Sequence, residues 1–316
     1  MRNRKIAKAA VVLTALVFVC GFCVGAVLAG EKFEEKFNKT ETLARDGKVI
    51  INNVSGGIVV KTWDKSEVQI AARKVADVGS LEKAKENWAK VTIEVTKSGN
   101  IIQIDTKYPE RFRNLNVSVH YELTIPDKAA IKIKNVSGSV EAAGIGGTFE
   151  GNVTSGSVTL ARLGGSVDCR TVSGRIDVQD GMGEIDLQTV SGNISAVRIK
   201  GSVDAETTSG RIELADISEA KSVRVKVLSG GISYDGQLAA GGKFSFETLS
   251  GSIRVTLPAN AGFELDAEAF SGHVNSAFPI TMQGTISPKE LRGVVNNGGA
   301  TLRLKTFSGS IDIRKK

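Results

Sequence analysis

The chain has 316 residues, with 35 Gly, 5 Pro, 5% aromatics, a net charge of +7 and a pI near 9.2. High Gly with scarce Pro and aromatics fits β-structure with many corners and excludes a coiled coil or a disordered chain, while the length leaves room for two domains. Of the +7, four charges are Arg2, Arg4, Lys5 and Lys8, leaving +3 on the remainder, so the basicity is a targeting feature and no nucleic-acid partner is expected.

Residues 1–29 set the compartment. Ala9 to Ala29 is uncharged and almost wholly apolar, and it follows the four positive charges. Val27-Leu28-Ala29 offers small residues to a signal peptidase. The run is also 21 residues, enough to span a bilayer as a helix. Two readings stand: a cleaved signal peptide, or an N-terminal transmembrane anchor that keeps the protein on the membrane. Either way the positive-inside rule sends the rest out of the cytoplasm, to the periplasm, the cell surface or the medium. Cys20 and Cys23 follow Val19 and Phe22, which argues against a lipoprotein signal. Cys169 is then the one thiol of the exported part, expected to be buried and without catalytic role.

Residues 30–45 read as a charged lead-in. Residues 46–126 read as an N-terminal β region. Strands are expected over 47–72 around a Ser55-Gly56 corner. One helix is expected near residues 80–90, with Ser80 as N-cap and Leu81, Ala84 and Trp88 on one face. A hairpin should turn at Ser98-Gly99-Asn100, and NVSVHYELTIP alternates up to Pro126. The helix is expected to cover an end of the β-structure, where strand edges would otherwise stay unpaired.

Residues 127–316 carry the strongest signal. From Gly138 to Ser218 a nine-residue frame repeats without a slip: GSVEAAGIG, GTFEGNVTS, GSVTLARLG, GSVDCRTVS, GRIDVQDGM, GEIDLQTVS, GNISAVRIK, GSVDAETTS, GRIELADIS. Position 1 is always Gly, position 3 is β-branched or Phe, and position 5 is small or apolar. Apolar residues at 3 and 5 between polar neighbours have the period of a strand with one buried face. Ser-Gly recurs every 18 residues, so each coil holds two strands joined by tight corners. The turn glycines are Gly138, Gly156, Gly174, Gly192 and Gly210, continuing at wider spacing as Gly230, Gly251, Gly272 and Gly309. The expected fold is all-β: a parallel β-solenoid, a β-helix-like stack of short strands with nine-residue repeats paired into 18-residue coils. Residues 258–316 lack the frame and are expected to be its irregular C-terminal part.

NVSGGIVVKTWDKSEVQI (53–70), VSVHYELTIPDKAAIKIKNVSGSV (117–140), the Ser-Gly repeats, FELDAEAFSGHVNSAFPI (263–280) and GGATLRLKTFSGSIDIR (298–314) occur in this order. Over roughly 46–316 the chain resembles the bacterial β-strand-repeat domains of unknown function labelled "putative adhesin", related to toast-rack domains. The resemblance implies an extracytoplasmic solenoid with no known activity, some of whose relatives are linked to envelope-stress systems. It supplies no catalytic residues.

Chemistry-bearing patterns are sparse. Calcium-binding nonapeptide repeats need G-G-x-G-x-D, whereas each unit here has one recurrent Gly and an acid three residues later. The acidic positions (Glu141, Glu150, Asp168, Asp177, Asp186, Asp204, Glu213) read as a solvated face. His120 and His273 both sit in strand-like contexts and read as structural or surface residues. The six Asn-x-Ser/Thr sequons fall mostly at strand–corner junctions and read as by-products of the repeat. No catalytic residue, metal site or cofactor is expected. The function expected is a non-enzymatic envelope protein whose repeated surface binds or adheres, its partner an envelope protein, a cell-wall polymer, a lipid surface or another copy of itself. A carbohydrate-active β-helix enzyme and a purely structural spacer are the alternatives. A binding row is expected at Arg175, Glu184, Asn193 and Arg211, or within 258–316.

Overall fold

The computed structural model describes residues 32–109, 115–282 and 289–316. The apolar segment read as a signal or anchor lies outside them. Among the described residues, no helix is long and apolar enough to cross a membrane. Strands dominate and form two sheets, of 13 and 14 strands.

The repeat builds the stack as its period requires. Strands from alternate units go to alternate sheets, so Ile176, Ile194 and Ile212 pair in register in the 13-stranded sheet, and Val167, Ile185 and Val203 in the 14-stranded one. All these pairings are parallel, with equivalent residues 18 apart. Positions 3 and 5 of every unit are buried, and the apolar files of both sheets close into one narrow core. Each buried Val, Ile or Leu contributes about 1.5–3 kcal/mol.

The Ser-Gly corners stack glycine on glycine. A Cβ on Gly210 would lie 1.9 Å from the carbonyl oxygen of Gly192, and Gly210 has φ 148°. A Cβ on Gly174 would lie 2.0 Å from the Gly156 oxygen. The same contact links Gly56, Gly138, Gly156, Gly192, Gly230, Gly251, Gly309 and Gly272 up the stack. The opposite edge carries a different device. Arg162, Asp180, Arg198 and Asp216, 18 residues apart, all take left-handed φ of 54–58°. Their charges alternate in sign, and Arg198 grips Asp180 through two hydrogen bonds, Nε to Oδ1 at 2.6 Å and Nη2 to Oδ2 at 3.1 Å.

Beside most Ser-Gly corners runs a buried polar file, interrupted by Val153, Val227 and Ala269. Thr189, Thr207, Thr248 and Thr306 donate their hydroxyls to the carbonyls of Gly174, Gly192, Gly230 and Gly251. Asn135 donates to the carbonyls of Gly56 and Gly138, and Asn53 to those of Gly56 and Val119. These bonds satisfy corner carbonyls that the parallel ladder leaves over.

The ends depart from the repeat. Residues 30–45, read as a charged lead-in, instead hold an 11-residue strand, Lys32–Thr42, paired antiparallel with Glu67–Asp77. Its charges alternate with Phe33 and Phe37, which pack on the core, so a one-faced edge strand hides in a run that looks soluble. Glu67–Asp77 pairs antiparallel with Val117–Pro126, and Thr92–Ser98 with Ile101–Lys107. The helix Leu81–Lys90 starts at Ser80, whose Oγ accepts from the Lys83 N–H at 3.3 Å. It buries Ala84 and Trp88, and Lys74 Nζ donates to the Trp88 carbonyl.

The C-terminal residues 258–316 are more regular than their sequence suggests. They contain two further coils, out of order. Ala300–Ser308 pairs with both Lys243–Ser250 and Phe263–Ser271, and Ile311–Lys315 with both Ile253–Leu257 and Val274–Ser276. The last coil in sequence is therefore inserted beneath the one before it. Glu290–Val295 then caps Phe263–Ser271 antiparallel. The nine-residue frame is lost because Phe263–Ser271 and Ala300–Ser308 have nine residues against seven, while Val274–Ser276 and Ile311–Lys315 have three and five, with loops between them.

Candidate functional site

In a half-buried strand the outward positions should be polar. On the 14-stranded sheet one outward position breaks that rule in nearly every coil: the residue before each Ser-Gly. In stacking order the file is Val54, Val136, Thr154, Val172, Val190, Thr208, Leu228, Leu249, Phe307, Phe270. Its apolar members are half exposed, for example Val190 at 51% and Phe270 at 61%. The Phe270 and Phe307 rings stack with centroids 4.7 Å apart. At about 4.8 Å per rung the rail runs about 43 Å. Single exposed apolar residues are ordinary, but a contiguous apolar strip is not.

Two residues earlier on each strand, and on the same face, lies a second file: Asn52, Lys134, Asn152, Arg170, Gln188, Glu206, Lys226, Glu247, Lys305, Glu268. Between the files runs a groove in two stretches of about 790 and 610 Å³, which meet at Glu206 and Thr208. Within the described residues, the side chains of Lys134, Glu206 and Lys226 make no hydrogen bond or salt bridge.

The acidic position 4 divides between the sheets. Glu150, Asp168, Asp186 and Asp204 stack on the 14-stranded sheet between Lys132, ion-paired to Glu150, and Arg224, 3.4 Å from Asp204. Glu141, Asp177 and Glu213 lie on the other sheet, interleaved with Thr159 and Ser195. Burial raises the Asp168 carboxyl above the usual aspartate range, with Asp186 and Glu150 adding to the effect, and burial likewise raises Asp204. The described residues contain no His/Cys/Asp/Glu group able to hold a metal ion.

The expected binding row divides as well. Arg175, Asn193 and Arg211 stack along the Ser-Gly corner, where Asn193 Oδ1 accepts from the Arg211 N–H at 2.9 Å. Glu184 lies at the opposite corner, its carbonyl accepting from the Val167 N–H. Corners of both kinds share position 2 of the repeat, which is why a nine-residue reading merges them.

The remaining candidates are structural in their contacts. His120 Nδ1 accepts from the Gly57 N–H at 3.1 Å and Nε2 faces Ser118 Oγ at 3.1 Å; burial and Arg73 lower its pKa. His273 Nδ1 meets Ser310 Oγ at 3.3 Å. Cys169 is fully buried, its thiol pushed up to about 12 by burial. The sequon residues Asn53 and Asn135 are buried within the corner file.

The rail was legible in principle. The triplets VSG, four times, LSG, twice, and FSG, twice, place an apolar residue at an outward strand position, but the corner signal of Ser-Gly overshadows it.

No curated protein matches the chain. Among solved structures it is similar to a "putative adhesin" from Bacteroides fragilis NCTC 9343, at 15% identity and TM-score 0.39, covering 88% of this chain and 97% of that one. It is similar to another "putative adhesin" from Parabacteroides distasonis ATCC 8503, at 11% identity and TM-score 0.33, covering 88% and 97%. A "putative cell adhesion protein" from Clostridium sporogenes ATCC 15579 shares 12% identity at TM-score 0.24, covering 89% and 100%. The family match is of another order, since Toastrack DUF4097 spans residues 48–314 of the solenoid just described, and the chain belongs to that family.

Proposed function

We propose that this chain is a non-enzymatic binding module exported to the cell envelope, with the rail-bearing face of its 14-stranded sheet as the working surface. The observation that carries this reading is the rail, apolar in all but two coils. Ten coils keep one outward position apolar, or Thr, over about 43 Å, where solvation alone would favour polar residues. Equal side chains at equal spacing suit an extended, repetitive contact better than a point of catalysis. The positive N-terminus followed by an apolar run supports export.

Binding of the labelled full chain to envelope fractions of its own cells tests this reading. Saturable retention should fall at least about tenfold in a Val190→Glu/Leu228→Glu variant, since two buried charges would replace apolar contact. Unchanged retention, with the variant's circular dichroism intact, would overturn the rail as the working surface.

A further inference from the structure

The rail and its flanking file are complementary to themselves, and this extends the binding-surface reading on which it rests. We propose that the rail's partner is a second copy of this chain, packed antiparallel with a two-fold axis at Val190. Two independent features of the face select that arrangement.

The first is charge. With Gln188 and Val190 on the axis, Arg170 meets the partner's Glu206, Asn152 the partner's Lys226, and Lys134 the partner's Glu247. Further out, Asn52 meets the partner's Lys305, and Asp105, one rung on, stands opposite the partner's Glu268, these carboxylates being held within their own chains by Asn52 and Lys305. Every contact off the axis occurs twice, as an isologous interface requires. Moving the axis half a coil, between Gln188 and Glu206, sets Lys134 against the partner's Lys305 and Arg170 against the partner's Lys226. Like charges placed together cost specificity, so the charges favour the Val190 axis over this neighbouring one. The side chains of Lys134, Glu206 and Lys226, which make no hydrogen bond or salt bridge within the described residues, all gain a partner.

The second is width. The rail is narrow at one end (Val54, Val136, Thr154) and wide at the other (Leu228, Leu249, Phe307). In the antiparallel register, Thr154 meets the partner's Leu228, Val136 the partner's Leu249, and Val54 the partner's Phe307. Narrow therefore meets wide along the seam. A parallel pair would set wide on wide at one end and leave a gap at the other, losing dispersion contacts. The antiparallel pair also places the two Lys32 ends at opposite ends of the seam, which suits a link between two facing surfaces.

Disulfide trapping of the full chain in detergent, with Cys20→Ser and Cys23→Ser and the buried Cys169 kept, tests the register. Val190→Cys alone should give a cross-linked dimer. Thr154→Cys alone and Leu228→Cys alone should not, yet a mixture of the two should. Equal trapping of Thr154→Cys and Val190→Cys would overturn the register. Sedimentation velocity adds the charge test: Arg170→Glu or Glu206→Arg alone should weaken dimerisation roughly tenfold, and both in one chain should restore it. A chain that stays monomeric to about 100 µM, well above the micromolar range of a weak specific pair, overturns the pairing. If Val190→Glu/Leu228→Glu still abolishes envelope retention in that case, the pairing fails while the binding-module reading stands. If retention is unchanged and the dimer forms, the reverse holds.

Discussion

Gly210 shows what one corner demands of one residue. Its φ of 148° is open to glycine almost alone, and a Cβ there would sit 1.9 Å from the Gly192 carbonyl oxygen. The backbone region alone costs an L-residue about 1–3 kcal/mol, and the clash adds to it because the obstructing atom is backbone and cannot rotate away. Gly210→Ala should therefore lower stability by at least about 2 kcal/mol by denaturant titration, whereas Gly79→Ala, with nothing within 4 Å of a built Cβ, should change it little. An equal loss at both positions would mean the corner stack is not what requires glycine. The sequence marked Gly210 plainly, because an invariant position in a repeat needs no neighbour to be seen. It did not mark Arg162, Asp180, Arg198 and Asp216, whose left-handed φ is carried by ordinary residues and is enforced by the ladder around them.

At the scale of one strand and its neighbours, parallel in-register pairing repeats each side chain's virtue and its cost. The stacked acids Glu150, Asp168, Asp186 and Asp204 bring like charges together at rung spacing. Burial and these neighbours raise the folded pKa of Asp168 above its ordinary 3.8. A raised carboxyl means the folded state holds its proton more tightly than the unfolded state. Its stabilising contribution is thus fully present below the ordinary value and is lost as pH rises through the folded one. Asp168→Asn should therefore raise the Tm at pH 7, and the gain should shrink as pH falls through the raised folded value and be gone below 3.8. A gain that persisted undiminished at pH 3 would point to packing and not to charge. The Lys132 and Arg224 that close this file were not legible as its ends, since Lys132 precedes the nine-residue frame and Arg224 follows it.

Across the whole molecule, each coil contacts mainly its neighbours, so stability is close to a sum of coil and interface contributions. The inserted last coil is an exception to sequence order. Ala300–Ser308 and Ile311–Lys315 hold Leu302, Leu304, Ile311 and Ile313 fully within the core, between the coil of 243–257 and that of 263–276. Removing residues 300–316 would strip one pairing face from both neighbours and leave each of those buried side chains' contributions, about 1.5–3 kcal/mol apiece, unmade. Hydrogen exchange on a chain ending at Gly299 should show Phe263–Ser271 losing protection while Ile176–Ser209 keeps it. Retained protection at Phe263–Ser271 would mean that the outer coil docks directly on the one below. Sequence order alone predicts mild fraying at a terminus, because it places 300–315 last in the stack.

The sequence by itself determined the solenoid: the nine-residue frame fixes two strands per coil, the buried positions 3 and 5, and glycine at the corner, because a local period needs no long-range information. It also carried the family through the order of its motifs. Only the tertiary structure decided the antiparallel ends, the strand within the charged run 32–42, the insertion of the final coil and the separation of Glu184 from Arg175, Asn193 and Arg211. It alone turned scattered Val, Leu and Phe residues into one rail. Each of these depends on which strand lies beside which, and pairing between strands tens of residues apart is chosen by burial and edge completion across the fold, which a period in one stretch of chain does not encode.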